Sequence, residues 1–140
     1  MSLVFPDVNV WLALAAEEHV HHARAIAWWR QEVEPIAFCR FTQIGLLRLL
    51  TTAAVMNGKP LAMRRAWKVY DGFMGDERVE LAAEPPALER IFRELSSSGT
   101  RPSPKLWADA YLIAFAVEAG GMVATFDQAL SRRGPALVLV

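Results

Sequence analysis

Apolar positions along the chain form short continuous runs that alternate with longer stretches of helical spacing. Residues 3–5 are an apolar run that stops at Pro6-Asp7, as expected for a buried strand that ends abruptly. Residues 8–16 read as a helix, and residues 21–32 as a second, carrying Ala23, Ile26, Ala27 and Trp28. Ile36–Phe38 is a second strand. Thr42 can then N-cap a helix over residues 43–52, with Ile44, Leu47 and Thr51 on one stripe. Asn57-Gly58-Lys59-Pro60 is a turn, followed by a helix over residues 61–74 with Arg64, Arg65 and Lys68 on its polar side. Val79–Leu81 is a third strand, and residues 86–95 form a helix before a loop at 96–104 rich in Ser, Gly and Pro. A helix over residues 105–119 stops at Gly120-Gly121, and strands follow at Met122–Thr125 and 136–140. Strands alternating with helices predict an α/β fold whose central, mostly parallel sheet is covered on both faces. No repeat or linker divides the chain, so residues 1–140 are expected to form one domain.

Composition narrows the function without naming it. At 54% hydrophobic and 21% charged residues, the chain can bury a substantial core. Fifteen Lys and Arg balance fifteen Asp and Glu, so any nucleic-acid surface must be local. Cys39 is the single cysteine, which excludes an intrachain disulfide and favours a reducing cytosol. In an apolar strand it reads as a small buried residue rather than a catalytic thiol. The N-terminal stretch lacks a basic region, and Asp7 interrupts its apolar run, against a signal peptide. The longest apolar run, residues 110–117, is far short of the roughly 20 residues that span a membrane. A soluble, cytoplasmic protein with no membrane partner is the expectation.

The candidate chemistry lies in three acids. Asp7 follows the first strand, and in open α/β folds the carboxyl ends of the strands form the binding crevice. Asn9 could support it by hydrogen bonding, and an ordinary N-cap is the competing role for Asp7. Asp109 is the only charged residue in 106–117, a helix apolar on nearly every side and therefore expected to be central and buried. A buried carboxylate needs a cation, a metal or strong donors, and Lys105, one turn earlier, is the structural alternative to a metal. Asp127 stands just past the strand that ends at Thr125, on the same rim as Asp7 if the strands are parallel, and it too can serve as a helix cap. Three independent caps have no reason to share one rim. Clustered carboxylates bind hard divalent cations such as Mg²⁺, which can polarise a phosphodiester and activate water for attack.

These residues also carry a family resemblance. Phe5-Pro6-Asp7-Val8-Asn9-Val10-Trp11-Leu12 resembles the opening motif of PIN domains. Leu106-Trp107-Ala108-Asp109-Ala110-Tyr111-Leu112-Ile113-Ala114 resembles their central acidic helix, and Val123-Ala124-Thr125-Phe126-Asp127 their closing strand and acid. The ordered set runs through the whole chain and is similar to VapC-type toxins of bacterial type II toxin–antitoxin systems. The resemblance implies Mg²⁺- or Mn²⁺-dependent endonucleolytic cleavage of RNA, a homodimer, and a small cognate antitoxin that occupies the active-site groove. It assigns Asp7, Asp109 and Asp127 to metal binding and catalysis; Asn9, Gln43, Arg48 and Thr125 are candidate supporting residues. The family usually places a further acid early in the helix that follows the second strand. Here no acid occurs between Glu34 and Asp71, and Gln43 or Gly45 occupies the position. Gln43 could hold water near a metal through its carbonyl oxygen, but it adds no charge.

Other residues have competing roles. Arg48 could contact a phosphate or the acids, or simply sit exposed at a helix end. Arg64, Arg65 and Lys68, with Arg132 and Arg133, could form a local basic surface or plain solvated faces. His19, His21 and His22 lack the spacing of a helical zinc site, and His22 reads as a packing or capping residue. Trp28, Trp29, Trp67 and Trp107 could stack on bases but fit core or dimer contacts better, and Trp11 fits the core. Two rival functions remain: a degenerate PIN-fold binding module, motivated by the missing acid, and a phosphohydrolase with Asp7 as nucleophile. Such phosphohydrolases favour an acid two residues on, where this chain has Asn9.

Overall fold

Five strands form the centre of the computed structural model, which describes residues 2–140: β1 (Val4–Pro6), β2 (Ile36–Phe38), β3 (Val79–Leu81), β4 (Met122–Thr125) and β5 (Ala136–Val138). Their order is β3-β2-β1-β4-β5 and every neighbouring pair is parallel. The sheet is thus all-parallel, a stricter form of the expected arrangement. Seven helices flank it among the described residues: α1 (Val8–Ala15), α2 (His22–Gln31), α3 (Arg40–Leu50), α4 (Met63–Met74), α5 (Leu88–Ser96), α6 (Leu106–Ala119) and α7 (Gln128–Ser131).

The two-residue alternation of a strand divides the core. Ile36 and Phe38 of β2 face a cluster with Val10, Trp11 and Leu14 of α1, Leu46 and Leu50 of α3, and Tyr70 of α4. Ala37, between them, faces the opposite cluster with Phe5, Val123 and the apolar side of α5 and α6. Trp11 is fully buried and stacks on Phe38 at 3.7 Å between centroids, so its expected core role holds. Trp28 and Trp29 pack against the same cluster. Trp67 and Trp107 do not belong to the core: they are 46% and 59% exposed.

The chain leaves β1 toward β2 and β3 on one side and returns to β4 and β5 on the other. The reversal lies between β1 and β4, and their carboxyl ends open a crevice there. Two close approaches fix this region. A side chain at Gly121, beside the start of β4, would meet the Leu3 carbonyl oxygen. A Cβ at Gly45 in α3 would lie 2.6 Å from Val8 Cγ2, so α3 presses directly on the first turn of α1.

One helix start differs from the sequence reading. Thr42 does not cap α3; Cys39 holds that position. The Thr42 hydroxyl turns back to accept from the Cys39 backbone N–H at 3.0 Å, the reciprocal half of a capping box. The helix therefore begins immediately beyond β2 and brings Arg40 to the rim.

Candidate active site

Asp7 is the first residue beyond β1, and two kinds of donor converge on it. Its Oδ1 accepts from the Val10 backbone N–H at 3.1 Å, capping α1, and its Oδ2 accepts from the Thr125 hydroxyl at 2.6 Å. Its own backbone N–H donates to the Ala124 carbonyl at 2.9 Å, which locks the turn to β4. The cap and the rim position are thus one residue doing both. Asn9 does not support Asp7 through its side chain, which is exposed. Only its backbone N–H faces the carboxylate, because Asn9 lies in the first helical turn and points outward.

Thr125 joins two of the acids. Fully buried as the last residue of β4, it donates to Asp7 and accepts from the Asp127 backbone N–H at 3.0 Å. Asp127 caps α7 through the Ala129 N–H at 2.9 Å and lies 3.9 Å from Lys105 Nζ. Lys105, the structural alternative to a metal at Asp109, thus ion-pairs with Asp127 while its charge still acts on Asp109. Asp109 is half-buried rather than buried, because it sits in the first turn of α6, where that helix emerges at the rim.

Electrostatics ties the three together. Burial pushes the Asp7 carboxyl above the ordinary carboxylate range against its hydrogen bonds, and the Asp109 charge adds to the rise. Burial likewise raises Asp109, with Asp127 adding to the rise and Lys105 and Arg133 opposing it. Asp7, Asp109 and Asp127 thus share one rim although more than a hundred residues separate the first from the last. Among the described residues, however, no group of three or more His, Cys, Asp or Glu side chains closes into a metal cage.

The helix α3 supplies a different chemistry. Gly45 has no room for a side chain, so an acid there would displace Val8. Gln43 is buried, and its Oε1 accepts from Arg40 Nη1 at 2.6 Å, so its carbonyl oxygen is not free to hold water alone. Arg48 lies near the other end of α3, roughly 12 Å along the axis from Arg40 at 1.5 Å per residue. It is exposed and touches none of the acids. Arg40 went unmarked in the sequence; its signal was its place just past a strand end, where ligand-facing residues collect. Of the other candidates, Arg64, Arg65, Lys68, Arg132 and Arg133 are all exposed. His22 bonds the Ala13 carbonyl at 2.7 Å, a packing contact between α2 and α1.

Comparison with known proteins bears on the family and the fold. The PIN domain model matches residues 4–134. The chain is 45% identical to Ribonuclease VapC41 of Mycobacterium tuberculosis over 134 residues, covering 91% of each chain. The crystal structure of VapC20 of Mycobacterium tuberculosis, a sarcin–ricin loop cleaving toxin, aligns with a TM-score of 0.74 at 18% identity, covering 98% of this chain and 99% of that one. VapBC2 from Rickettsia felis, bound to a fragment of its promoter DNA, aligns with a TM-score of 0.63 at 11% identity over 99% of both chains. No helix among the described residues is long and apolar enough to cross a membrane.

Proposed function

Since the chain belongs to the PIN domain family, we propose that it is a divalent-metal-dependent endoribonuclease, the toxin of a type II toxin–antitoxin pair. The observation that carries this reading is the Asp7–Thr125–Asp127 tie at the crevice between β1 and β4, with the Asp109 charge acting on Asp7. The name of VapC41 as a ribonuclease supports the substrate class.

The residues present fit Mg²⁺ or Mn²⁺. The donors are hard carboxylate oxygens, and Asp7 and Asp109 carry the charge strain that a cation relieves. An open rim rather than a closed cage suits an ion that takes one or two carboxylates and keeps several waters. Asp7, Asp109 and Asp127 would hold it, and when bound it would polarise the scissile phosphodiester and make water a better nucleophile. Thr125 positions Asp7 by donating to Oδ2, and so fixes which lone pairs face the crevice. The capping bonds from Val10 and Ala129 hold the two strand-end acids still, so little reorganisation is left to the reaction. A homodimer and a cognate antitoxin covering the rim complete the proposal; a chain of the VapBC2 structure is similar in fold to this one.

A second reading has its own support. With Gln43 in place of an acid and no three-ligand group among the described residues, the fold would serve as a noncatalytic RNA- or protein-binding module. Calorimetric titration of Mn²⁺ into metal-stripped protein separates the two. The nuclease reading expects saturable binding that Asp7→Asn and Asp109→Asn each weaken by at least the roughly tenfold that even an outer partner's loss costs. Undetectable binding to the wild type at millimolar metal would instead favour the module.

A further inference from the structure

We propose that Arg40, oriented by Gln43, is the substrate-phosphate anchor of this site. It would bind a backbone phosphate of single-stranded RNA beside the acid rim, where a further acid would only have added negative charge. The inference rests on the ribonuclease reading above and deepens it.

Register places Arg40 on the same carboxyl-end rim as Asp7, on the β2 side of it. Val4 pairs with Ile36 across β1 and β2, so the strand ends Pro6 and Phe38 are level, and Asp7 and Cys39 follow them side by side. Arg40 is the next residue, opening α3, whose second turn packs on Val8 through Gly45. Arg40 lines an open cavity of about 310 Å³ with Leu81, Ala82, Ala83 and Glu84, beyond the carboxyl end of β3. Glu84 accepts the Tyr111 hydroxyl at 2.7 Å, and neither Arg40 nor Glu84 takes part in an ion pair among the described residues.

The identity of residue 43 decides what Arg40 can do. A glutamate there would neutralise the guanidinium at the 2.6 Å separation observed. The neutral amide aims the guanidinium and leaves its positive charge whole. Gln43 is 4% exposed and Arg40 is exposed, so a buried amide holds a guanidinium that itself reaches solvent. Because arginine is donor-only, the carbonyl oxygen of Gln43 must face it and the amide N–H groups point elsewhere. Those N–H groups have no partner among the described residues, where the sole fully buried orphan is Trp11 Nε1, so they are not sealed from solvent. Arg40 spends one N–H on Gln43 and keeps the others, enough for a two-pronged grip on a phosphate. Gln43 adds a neutral donor beside it.

The test is binding without chemistry. A fluorescein-labelled single-stranded RNA oligonucleotide is titrated in EDTA across a salt series, with anisotropy as the readout. Arg40→Ala should lower affinity and reduce the slope of log K against log salt by about 0.7, the value for one phosphate contact on a single strand. Arg48→Ala removes the same charge from the far end of the same helix and should leave the slope unchanged. Gln43→Glu should behave like Arg40→Ala, since its carboxylate would claim the guanidinium, even if it tightens metal binding. Equal slopes for wild type and Arg40→Ala, or an equal loss in Arg48→Ala, would overturn the proposal. Metal-dependent cleavage is read separately, so a protein that binds through Arg40 but never cleaves would refute the nuclease reading alone.

Discussion

At the scale of single residues, the candidate site depends on one hydroxyl. Thr125 is buried, donates to Asp7 and accepts from the Asp127 backbone, so removing its oxygen strands a carboxylate and an amide together. Thr125→Val keeps the shape and should cost about 1–3 kcal/mol in urea unfolding, the penalty for leaving buried polar groups unpaired. Thr125→Ser keeps the oxygen and should lose only about 0.8 kcal/mol, for the missing methyl. Equal losses in the two variants would show that the hydroxyl is not the tie. Much at this scale was legible in the sequence. Asp7, Thr125 and Asp127 stand next to strand ends that apolar runs reveal. Asp109 was misjudged in burial, because helical periodicity shows which side is apolar but not where the helix emerges from the sheet. Arg40 was hidden by a helix start placed at Gln43, three residues late; moving the start to Arg40 turns an apparent loop residue into a rim residue.

At the scale of elements, helix starts depended on side-chain bonding that composition conceals. Thr42 is a good capping residue, yet it serves as the third residue of α3 because its hydroxyl reaches back to Cys39. A second element-level device joins α2 to the start of β3. Arg78 grips Asp76 through two nitrogens, donates to the Trp29 and Glu32 carbonyls at 2.7 Å each, and lies 4.5 Å from the Trp29 ring. These carbonyls end α2, so the guanidinium satisfies acceptors that the helix leaves open. The Arg78 hydrogen bond holds the Asp76 carboxyl below its ordinary value of 3.8. A depressed carboxylate stabilises the fold fully above pH 3.8, and that contribution drains as pH falls through the lower folded value. Asp76→Asn should therefore cost about 1 kcal/mol in thermal unfolding at neutral pH, with the difference from wild type shrinking as the medium becomes more acid than pH 3.8. A difference that stayed constant across that range would remove the charge from the explanation.

At the scale of the molecule, alternation of strands and helices predicted a parallel sheet with two covered faces. It could not predict the order β3-β2-β1-β4-β5, because nothing local to a three-residue strand specifies its neighbour. That order creates the crevice: Thr125 can tie Asp7 to Asp127 only because β4 lies beside β1. Gln43 poses the central question at this scale, since it exchanges an acid for an amide in a site proposed to work by metal. The account holds that the remaining carboxylates suffice for metal and that Arg40 takes the phosphate. The most direct test is cleavage of RNA by purified protein freed of any partner, in Mg²⁺, in Mn²⁺ and in EDTA, with Asp7→Asn alongside. The account predicts endonucleolytic cleavage that requires metal and disappears in Asp7→Asn while the variant remains folded. Cleavage that survives EDTA, or that Asp7→Asn retains in full, would contradict it.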